Sequence, residues 1–296
     1  MPQVAPHGKG SAPSAKRHLG DLYQNARKLC YDRPAESVGM DVIRYLIGKL
    51  LQLASKFAKG FFFAVHLAFP ALRFEIPKAA RPLFPRAAKG PIPKIVWQKN
   101  FSRKVALAVY ANYLFNRLMA PTHEFRMLDG EDAAEFVRTS CSDLTWQNYR
   151  RLQIGAARAD FWRLLTLYQH GGVYMDVDAT LIWPLELTLG SKAEVFLIHG
   201  GKFTNYFVAA APGNARIESL IEAVNRNISE DTLKSVYALT GPGVFWTVLN
   251  GQPVNTVSYS VACREGVFTN EFFQYIDRPA RKWHREEKTV PIIGEG

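Results

Sequence analysis

The feature that most constrains this chain is a long helical segment that runs through two glycines into an apolar strand. We predict a helix over residues 153–169, ended by Gly171 and Gly172, because glycine commonly terminates helices in a left-handed conformation. An apolar strand is predicted over 173–178. Upstream, the pattern predicts a strand at 95–96, a helix over 103–118, a strand over 126–128 and a helix over 131–137. Strands that alternate with helices predict an α/β fold with a largely parallel sheet.

Charge divides the chain into a basic N-terminal third and a neutral remainder. The whole sequence has a formal net charge of +11, but residues 1–94 hold 16 Lys and Arg against 5 Asp and Glu, whereas residues 95–296 hold 21 of each. The partner of the basic arm can therefore be considered separately from the chemistry of the body. A neutral body without a nucleic-acid-binding motif argues against a specific nucleic-acid partner.

The composition suggests three regions. Residues 1–20 are rich in Pro, Gly, Ser and Ala and predict a flexible tail. Residues 21–91 form a basic, helical extension that ends in a proline-rich linker, and residues 92–296 form the globular body. With 48% hydrophobic and 21% charged residues, the chain is expected to form a packed core.

The extension contains an amphipathic segment with two possible partners. Apolar residues recur at spacings of three and four, at Ile43, Leu46, Leu50, Leu53 and Phe57, and an aromatic segment follows over 60–69. One interpretation is that residues 41–72 lie in an anionic membrane surface. The other is that this helix packs on the body or on a second subunit. The first is favoured because basic charge and apolar surface coincide, and no run of eighteen apolar residues indicates a transmembrane helix.

Cysteine usage favours a reducing compartment. The three cysteines, Cys30, Cys141 and Cys263, are far apart and form no disulfide framework or zinc spacing. The N-terminus has basic residues but no apolar core of signal-peptide length. We expect a cytoplasmic protein, held peripherally at the inner face of the plasma membrane.

Two aspartates at the end of the predicted strand suggest a metal site. Asp176 and Asp178 are two residues apart, so on a strand both carboxylates leave the same side of the backbone. Hard oxygen ligands of this kind suit Mg²⁺ or Mn²⁺ bound together with substrate phosphates. In open α/β sheets, ligands collect beyond the carboxyl ends of the strands, where this pair is expected.

An acid and an arginine on the preceding helix extend this pattern. Asp160 and Arg163 are three residues apart and share a helical face. Alone they predict only a surface ion pair. Beside a metal-binding strand end they could hold a ribose and a diphosphate, because a guanidinium bonds phosphate with two parallel hydrogen bonds.

Taken in order, these segments resemble the DXD-containing sugar transferases of glycosyltransferase family 32. The resemblance covers about residues 92–250 and is most specific over 160–178. It is carried by 92–98, 152–155, Ala159-Asp160-Phe161-Trp162-Arg163, 167–168, Gly171 to Asp178, Asn205-Tyr206-Phe207 and Thr240-Gly241-Pro242-Gly243. That family includes initiating α-mannosyltransferases and many bacterial capsule and lipopolysaccharide transferases.

The resemblance implies a GT-A type nucleotide-sugar-binding fold over 92–296, a Mn²⁺ or Mg²⁺ ion and retention of anomeric configuration. It implies a nucleotide-sugar donor, with UDP-sugars favoured over GDP-sugars, and an oligosaccharide or lipid-linked acceptor of cell-surface polysaccharide. The implied roles follow the family motif. Trp97 and Gln98 would lie beside the nucleotide, and Asp160 and Arg163 would contact ribose, sugar and phosphates. Asp178 and Asp176 would hold the metal. The residues expected to face sugar and acceptor are Asn205, Gly241, Pro242 and Gly243.

Two positions depart from the family pattern. Many relatives have a second aromatic residue shortly after the position of Gln98, where this chain has Lys99 and Asn100. Relatives also often supply a late histidine, serine or tryptophan to the metal site, and His284 is the candidate here, beside Trp283.

Three other functions remain as alternatives. A hydrolase is disfavoured because glycosidase carboxylates flank the scissile bond from opposite sides, about 5 to 9.5 Å apart. A nucleic-acid-binding protein is suggested only by the basic arm. A membrane- or nucleic-acid-associated binding protein with a catalytically silent sugar pocket is disfavoured by the intact acidic and arginine residues.

Overall fold

The computed structural model describes residues 35–279 and 282–294. The predicted flexible tail over 1–20 and Cys30 lie outside these residues. The helices are α1 (Ala35–Ala68), α2 (Leu107–Met119), α3 (Gly130–Ser140), α4 (Asp143–Arg151), α5 (Gly155–His170), α6 (Leu185–Leu189), α7 (Ala215–Glu230), α8 (Val236–Leu239), α9 (Pro242–Leu249), α10 (Glu271–Gln274) and α11 (Trp283–Glu286). The strands are β1 (Phe74–Glu75), β2 (Ala79–Ala80), β3 (Ile95–Lys99), β4 (Lys104–Val105), β5 (Glu124–Leu128), β6 (Gly172–Met175), β7 (Ala179–Leu181), β8 (Glu194–His199), β9 (Lys202–Ala210), β10 (Thr256–Ser258) and β11 (Cys263–Glu265).

A seven-stranded mixed sheet forms the centre of the molecule, in the order β10-β8-β9-β6-β3-β5-β2. Strand β3 pairs in parallel with β5 and β6, and β10 pairs in parallel with β8. Strand β9 runs antiparallel to both β6 and β8, so the sheet is mixed rather than largely parallel. The predicted α/β fold is confirmed.

Alternation along the central strands places a core on each face of the sheet. Val96 on β3 and Val173 on β6 belong to one buried cluster with Val109 of α2. Trp97 and Tyr174, the next residues on the same strands, belong to the cluster on the other face. Both faces are therefore covered by helices, which leaves the strand ends as the open part of the sheet.

The helix–glycine–strand prediction is confirmed, with one change at its end. Helix α5 ends at His170, and Gly171 has a φ of +63°. A Cβ at Gly171 would lie 2.7 Å from Pro212, so both the conformation and the close contact require glycine. Strand β6 ends at Met175, and residues 176–178 form a turn instead of continuing the strand.

The other predicted elements are present with shifted boundaries. The helix predicted over 103–118 begins at Leu107, because Lys104 and Val105 pair with β1 as strand β4. Helix α3 extends over Gly130–Ser140, and the Asp129 side chain caps it by accepting hydrogen bonds from the backbone N–H groups of Glu131 and Asp132.

The N-terminal extension contains one continuous helix, α1, which packs on the body through its more polar face. Lys59 Nζ donates a hydrogen bond to the Gly266 carbonyl oxygen at 2.9 Å, and the Arg44 guanidinium lies 5.0 Å from the Trp183 ring centroid. The predicted apolar stripe points away from the body instead. Its members Ile43, Leu46, Leu50, Leu53 and Phe57 are 49 to 76% exposed. Among the described residues, no helix has the length and apolar character needed to cross a bilayer.

Candidate functional site

A cleft of about 590 Å³ opens beyond the carboxyl end of β6, the central strand that leads into the aspartate pair. The cleft brings together most of the residues predicted from sequence. Those lining it are Asp160, Arg163, Asp176, Asp178, Asn205, Gly241 and Pro242. Open α/β sheets bind ligands at this edge.

The aspartate pair is presented by a turn, which corrects the expectation that a strand presents it. The Ala179 N–H donates to the Asp176 carbonyl oxygen at 3.0 Å, which closes a turn over 176–179. Nevertheless, carboxylate oxygens of Asp176 and Asp178 lie within 4.8 Å of each other. The turn therefore achieves the convergence that was predicted from strand alternation.

Two buried asparagines on α2 hold this turn in place, and the sequence analysis did not identify them. Asn112 Nδ2 donates to the carbonyl oxygens of Val177 and Ala179, both at 2.9 Å, and Asn116 Nδ2 donates to that of Ala179 at 2.8 Å. Both side chains are fully buried. Their spacing of four residues on one helix was the available signal, because asparagine in a buried helical stripe needs backbone partners.

Asp160 is the centre of a buried polar network. It is 7% exposed, its Oδ1 accepts a hydrogen bond from Asn205 Nδ2 at 2.9 Å, and its Oδ2 accepts one from Thr240 Oγ1 at 3.2 Å. Arg163 NH2 lies 2.8 Å from Asp160 Oδ1. Burial raises the pKa of Asp160 to about 7, although the Arg163 charge acts in the opposite direction.

Arg163 connects this network to the aspartate pair. Its NH2 lies 3.4 Å from Asp176 Oδ1, its NH1 donates to the Asn205 carbonyl oxygen, and its guanidinium stands 4.3 Å from the Tyr174 ring centroid. Most of its donors are engaged by the protein itself. Arg163 therefore positions Asp160 and Asp176, in addition to facing the cleft.

Glu265 completes a set of three carboxylates that could hold a divalent cation. Oxygens of Asp176, Asp178 and Glu265 all lie within 4.8 Å of one another. Glu265 reaches this position because β11 pairs antiparallel with β7, which sets Glu265 opposite Ala179, and because the Gly266 N–H donates to the Asp178 carbonyl oxygen at 3.1 Å. Glu265 was not predicted from sequence, since nothing in its local sequence links it to residues almost ninety positions upstream.

The electrostatics of these carboxylates fit a cation. Burial and the Asp176 charge raise the pKa of Asp178 to about 7. Glu265 is the exposed member of the three, but desolvation of its carboxylate at the cleft and the charges of Asp178 and Asp176 raise its pKa to about 8. Arg163 offsets part of the repulsion among these hard oxygen donors, and the negative charge that remains suits Mg²⁺ or Mn²⁺.

His284 does not join the carboxylates, which corrects the late-histidine prediction. Its Nδ1 lies 3.1 Å from Glu271 Oε1, and its side chain is 44% exposed. Among the described residues, the group able to hold a metal contains Glu265 and no histidine. The pairing of β7 with β11 places Glu265 beside the two aspartates, so the third possible metal ligand is an acid and not a histidine.

Trp97 and Gln98 lie beneath the cleft and do not line it, and their predicted place beside the nucleotide stays a prediction. The Trp97 indole is 4% exposed, donates to the Gly171 carbonyl oxygen at 2.9 Å and packs edge-on against Trp162. Gln98 is 1% exposed, and its Nε2 lies 3.5 Å from the Asp176 carbonyl oxygen. Both side chains lie in the interior because β3 is covered on both of its faces.

Lys99, at the end of the same strand, lines the cleft. Burial and the nearby charges of Arg158 and Arg163 lower its pKa to about 8. Within the described part of the chain, no hydrogen bond or ion pair engages its ammonium group. The N–H donors of the Lys99 ammonium are therefore available to a ligand in the cleft.

The glycines of the 241–243 turn permit close packing. A Cβ on Gly241 would lie 3.0 Å from Tyr237 Cα, and a Cβ on Gly243 would lie 2.8 Å from the Tyr237 carbonyl oxygen. Gly241 and Pro242 line the cleft, whereas Gly243 lines a neighbouring cavity. The turn therefore brings α9 directly against α8 at the edge of the cleft.

Comparison with known proteins agrees with this geometry. Residues 94–196 match the family described as the glycosyltransferase sugar-binding region containing a DXD motif. The matched segment includes Asp160, Arg163 and the aspartate pair.

The chain is similar to the DXD-containing glycosyltransferases over residues 94–196. The chain is 28% identical over 225 residues to the initiation-specific alpha-1,6-mannosyltransferase of Schizosaccharomyces pombe (strain 972 / ATCC 24843), and the alignment covers 62% of this chain and 52% of that protein. The chain thus spans about half the length of this curated relative. Among solved structures it is similar to the PaToxG glycosyltransferase, with 18% identity, a TM-score of 0.39, and coverage of 67% of this chain and 78% of that one.

The predicted resemblance to the DXD-containing family is confirmed over residues 94–196. The GT-A type of the fold and the transferase activity stay predictions. DXD glycosyltransferases generally use a divalent metal and a nucleotide sugar. The division of the chain at residues 20 and 91, and the individual role of each site residue, stay predictions.

Proposed function

We propose that this chain is a retaining, metal-dependent glycosyltransferase that moves a hexosyl group from a nucleotide sugar to a saccharide acceptor. The observation that carries the proposal is the convergence in one cleft of the Asp160–Arg163–Asn205 network and the three carboxylates Asp176, Asp178 and Glu265. A ligand that meets both groups must offer hydroxyl groups to one and a negatively charged, cation-binding group to the other. A nucleoside diphosphate sugar has both.

In this proposal, Asp178, Asp176 and Glu265 hold Mn²⁺ or Mg²⁺ at the floor of the cleft. The cation, when bound, supplies Lewis-acid stabilisation of the negative charge that develops on the leaving diphosphate. Asp160 keeps its position through Asn205 and Thr240, and so presents its carboxylate to the hydroxyl groups of the donor.

The cleft also has a cation for the phosphates. We assign Lys99 to them, because its ammonium is free of protein partners within the described residues, whereas Arg163 is largely occupied by Asp160, Asp176 and the Asn205 carbonyl oxygen. Retention requires the acceptor hydroxyl to attack from the face that the leaving group vacates, with the phosphate oxygen taking its proton. No enzyme nucleophile is assigned.

We also propose a donor, an acceptor and a pathway, which the comparisons do not determine. The breadth of the family favours a UDP-sugar, while the named activity of the yeast relative favours a mannosyl donor. We propose an oligosaccharide or lipid-linked acceptor in capsule or lipopolysaccharide synthesis, with the enzyme acting in the cytoplasm.

A thermal-shift panel followed by a turnover assay tests the catalytic proposal. UDP-glucose, UDP-N-acetylglucosamine and GDP-mannose are each added with and without Mn²⁺, and the donor that stabilises the protein is used to measure hydrolysis. Asp178→Ala and Glu265→Gln should lower Mn²⁺-dependent turnover by at least about a hundred-fold, whereas Asp143→Ala, an exposed aspartate on α4, should match wild type. Unchanged turnover in Asp178→Ala would reject the site, and the anomeric proton of the product, followed by NMR, distinguishes retention from inversion.

We further propose that α1 docks the enzyme on an anionic membrane surface at the inner face of the plasma membrane. The outward stripe of α1 is apolar, and the exposed Lys49 and Lys56 flank it. From residue 42 to the end of the helix at Ala68 there is no acidic residue. An apolar face bordered by lysines matches the layered chemistry of acyl chains under acidic headgroups.

Vesicle co-sedimentation tests this docking. The full chain should bind vesicles that contain 30% phosphatidylglycerol (a composition chosen for the test) and bind pure phosphatidylcholine vesicles weakly. The double variant Leu50→Ser/Phe57→Ser should lose most of the binding, because two large exposed side chains no longer enter the bilayer. Leu187→Ser, at an exposed leucine on the body, is the matched control. Equal binding by the double variant and the control would exclude α1 as the membrane contact.

A further inference from the structure

A second cavity lies beside the cleft and has no part in the donor site described above. It measures about 840 Å³ and is lined by the start of β9, one side of α7, and the helices α8 and α9. Its aromatic residues are Phe203, Tyr237 and Trp246, and its charged residues include Lys202, Glu222 and Arg226.

This cavity adjoins the cleft across a single ridge. Tyr237 lines both the cleft and the second cavity. Along the turn that follows α8, Gly241 and Pro242 line the cleft, and Gly243 and Val244 line the cavity. Because a Cβ at Gly243 would come within 2.8 Å of the Tyr237 carbonyl oxygen, the ridge is only one packed turn thick. A molecule lying in the cavity can therefore extend one end over Tyr237 into the cleft.

Two of the aromatic side chains of the cavity are open to solvent. Trp246 is 43% exposed and Tyr237 is 50% exposed. The centroids of the Trp246 and Phe203 rings are 6.5 Å apart, so the indole is held from one side by a partly buried phenylalanine. An exposed tryptophan that is supported in this way offers a fixed apolar face with a polar N–H at its edge.

The surrounding polar groups complement that face. Lys202, Glu222 and Arg226 are exposed, and they stand on β9 and α7 around the aromatic rings. A pyranose ring likewise combines an apolar face, formed by its C–H groups, with hydroxyl groups that point outward around its rim. Sites that bind small molecules pair aromatic surface with a few polar groups in this manner.

We infer that this second cavity is the acceptor subsite, where a saccharide stacks on Trp246 and Tyr237 while its terminal sugar reaches the cleft. The inference rests on the proposed transferase function and assigns the place where the saccharide acceptor binds, which the donor site leaves open. Lys202, Glu222 and Arg226 bond the hydroxyl groups of the stacked sugars. The ridge at Tyr237 sets the distance between the stacked sugar and the hydroxyl that accepts the transferred group.

Direct binding of saccharides to the full chain tests the inference without any donor chemistry. Saturation-transfer NMR and calorimetry are performed with trisaccharides of mannose, glucose, galactose and N-acetylglucosamine, in α- and β-linked forms and with no nucleotide or metal present. At least one trisaccharide should bind wild type, and Trp246→Ala should weaken that binding by about ten-fold, the scale of one lost ring contact. Trp246→Phe keeps a ring and should restore part of the affinity.

The control is Phe84→Ala, which removes an aromatic ring that is 68% exposed and lines neither cavity. It should bind the trisaccharide as wild type does. Equal binding by Trp246→Ala and wild type, or failure of every trisaccharide to bind wild type, would overturn the inference. Because the measurement contains no donor, loss of donor turnover in the earlier assay would refute the catalytic proposal separately.

Discussion

Replacing Asp160 tests whether the network beside the metal site is a buried, structural unit. Asp160→Ala removes one acceptor oxygen from Asn205, one from Thr240 and the nearer carboxylate from Arg163, whose side chain is 4% exposed. Breaking a buried ion pair typically costs 3 to 5 kcal/mol. Asp176, at 3.4 Å from Arg163, still compensates part of its charge, so we expect a loss of about 3 kcal/mol, at the lower end of that range.

Urea unfolding followed by far-UV circular dichroism measures this loss. The experiment is performed at pH 8, above the pKa of about 7 of Asp160, so that the wild-type carboxylate is ionised. Asp160→Asn keeps the shape of the side chain and should fall between wild type and Asp160→Ala. In a chain of this size, about 3 kcal/mol corresponds to a fall in Tm of about 6 °C.

An exposed ion pair on α3 provides the matched control. Glu135 and Arg138 are bonded at the same spacing of three residues, but their side chains are 58% and 56% exposed. Glu135→Ala should leave the unfolding midpoint unchanged, because solvent screens the pair. If Asp160→Ala shifted the midpoint no more than Glu135→Ala does, the description of Asp160 as a buried structural acid would be refuted.

Three further outcomes follow from individual residues. Asn112→Ala leaves the Val177 carbonyl oxygen without its donor and that of Ala179 with Asn116 alone, so it should destabilise the protein by about 2 kcal/mol and raise the Mn²⁺ concentration needed for half-maximal turnover. A parallel change in a metal titration checks this, and an unchanged titration contradicts it. Lys99→Met should raise the KM of the donor about ten-fold or more, with Lys99→Arg closer to wild type, whereas an equal KM in all three would remove Lys99 from the phosphate site. Burial lowers the pKa of His123 to about 4. This residue therefore contributes stability that is present above pH 6.5 and is lost as the pH falls through 4. His123→Gln should abolish up to about 3 kcal/mol of that acid sensitivity, in unfolding free energies measured from pH 7 to 4.

The N-terminal helix contacts the end of β11, the strand that carries the third carboxylate. Lys59 donates to the carbonyl oxygen of Gly266, the residue after Glu265. The apolar stripe lies on the outer side of the same helix. The surface proposed for membrane docking and a residue proposed for the metal site therefore belong to adjoining parts of the structure.

The elements nearest the aspartate pair were predictable because their signals are local. The glycine stop after α5, the apolar strand that follows it and the helical spacing of Asp160 and Arg163 each depend on residues within a few positions of one another. The ion pair between Asp160 and Arg163 forms at the spacing predicted from the helix. Asn205 was placed in the site only through the resemblance to a family.

The direction in which amphipathic residues face was not predictable in the same way. Periodicity identifies a stripe at Ile43 to Phe57 but does not state which side of the helix the body covers. In the structure the polar face of α1 packs inward, because Lys59 and Arg44 find a carbonyl oxygen and an indole ring there. Trp97 is a similar case, since its position on β3 was evident but its burial against Trp162 depends on α5.

The sequence by itself determined the α/β class, the carboxylate pair after β6 and the acid–arginine pair on α5, because these are properties of short segments with a fixed period. Tertiary structure alone decided that Glu265 joins the aspartates, that His284 pairs with Glu271, and that Trp246 stands open beside the cleft. These contacts join residues that are distant in the chain or depend on which faces other elements cover, and no local pattern records the pairing of β7 with β11 or the packing of α9 on α8.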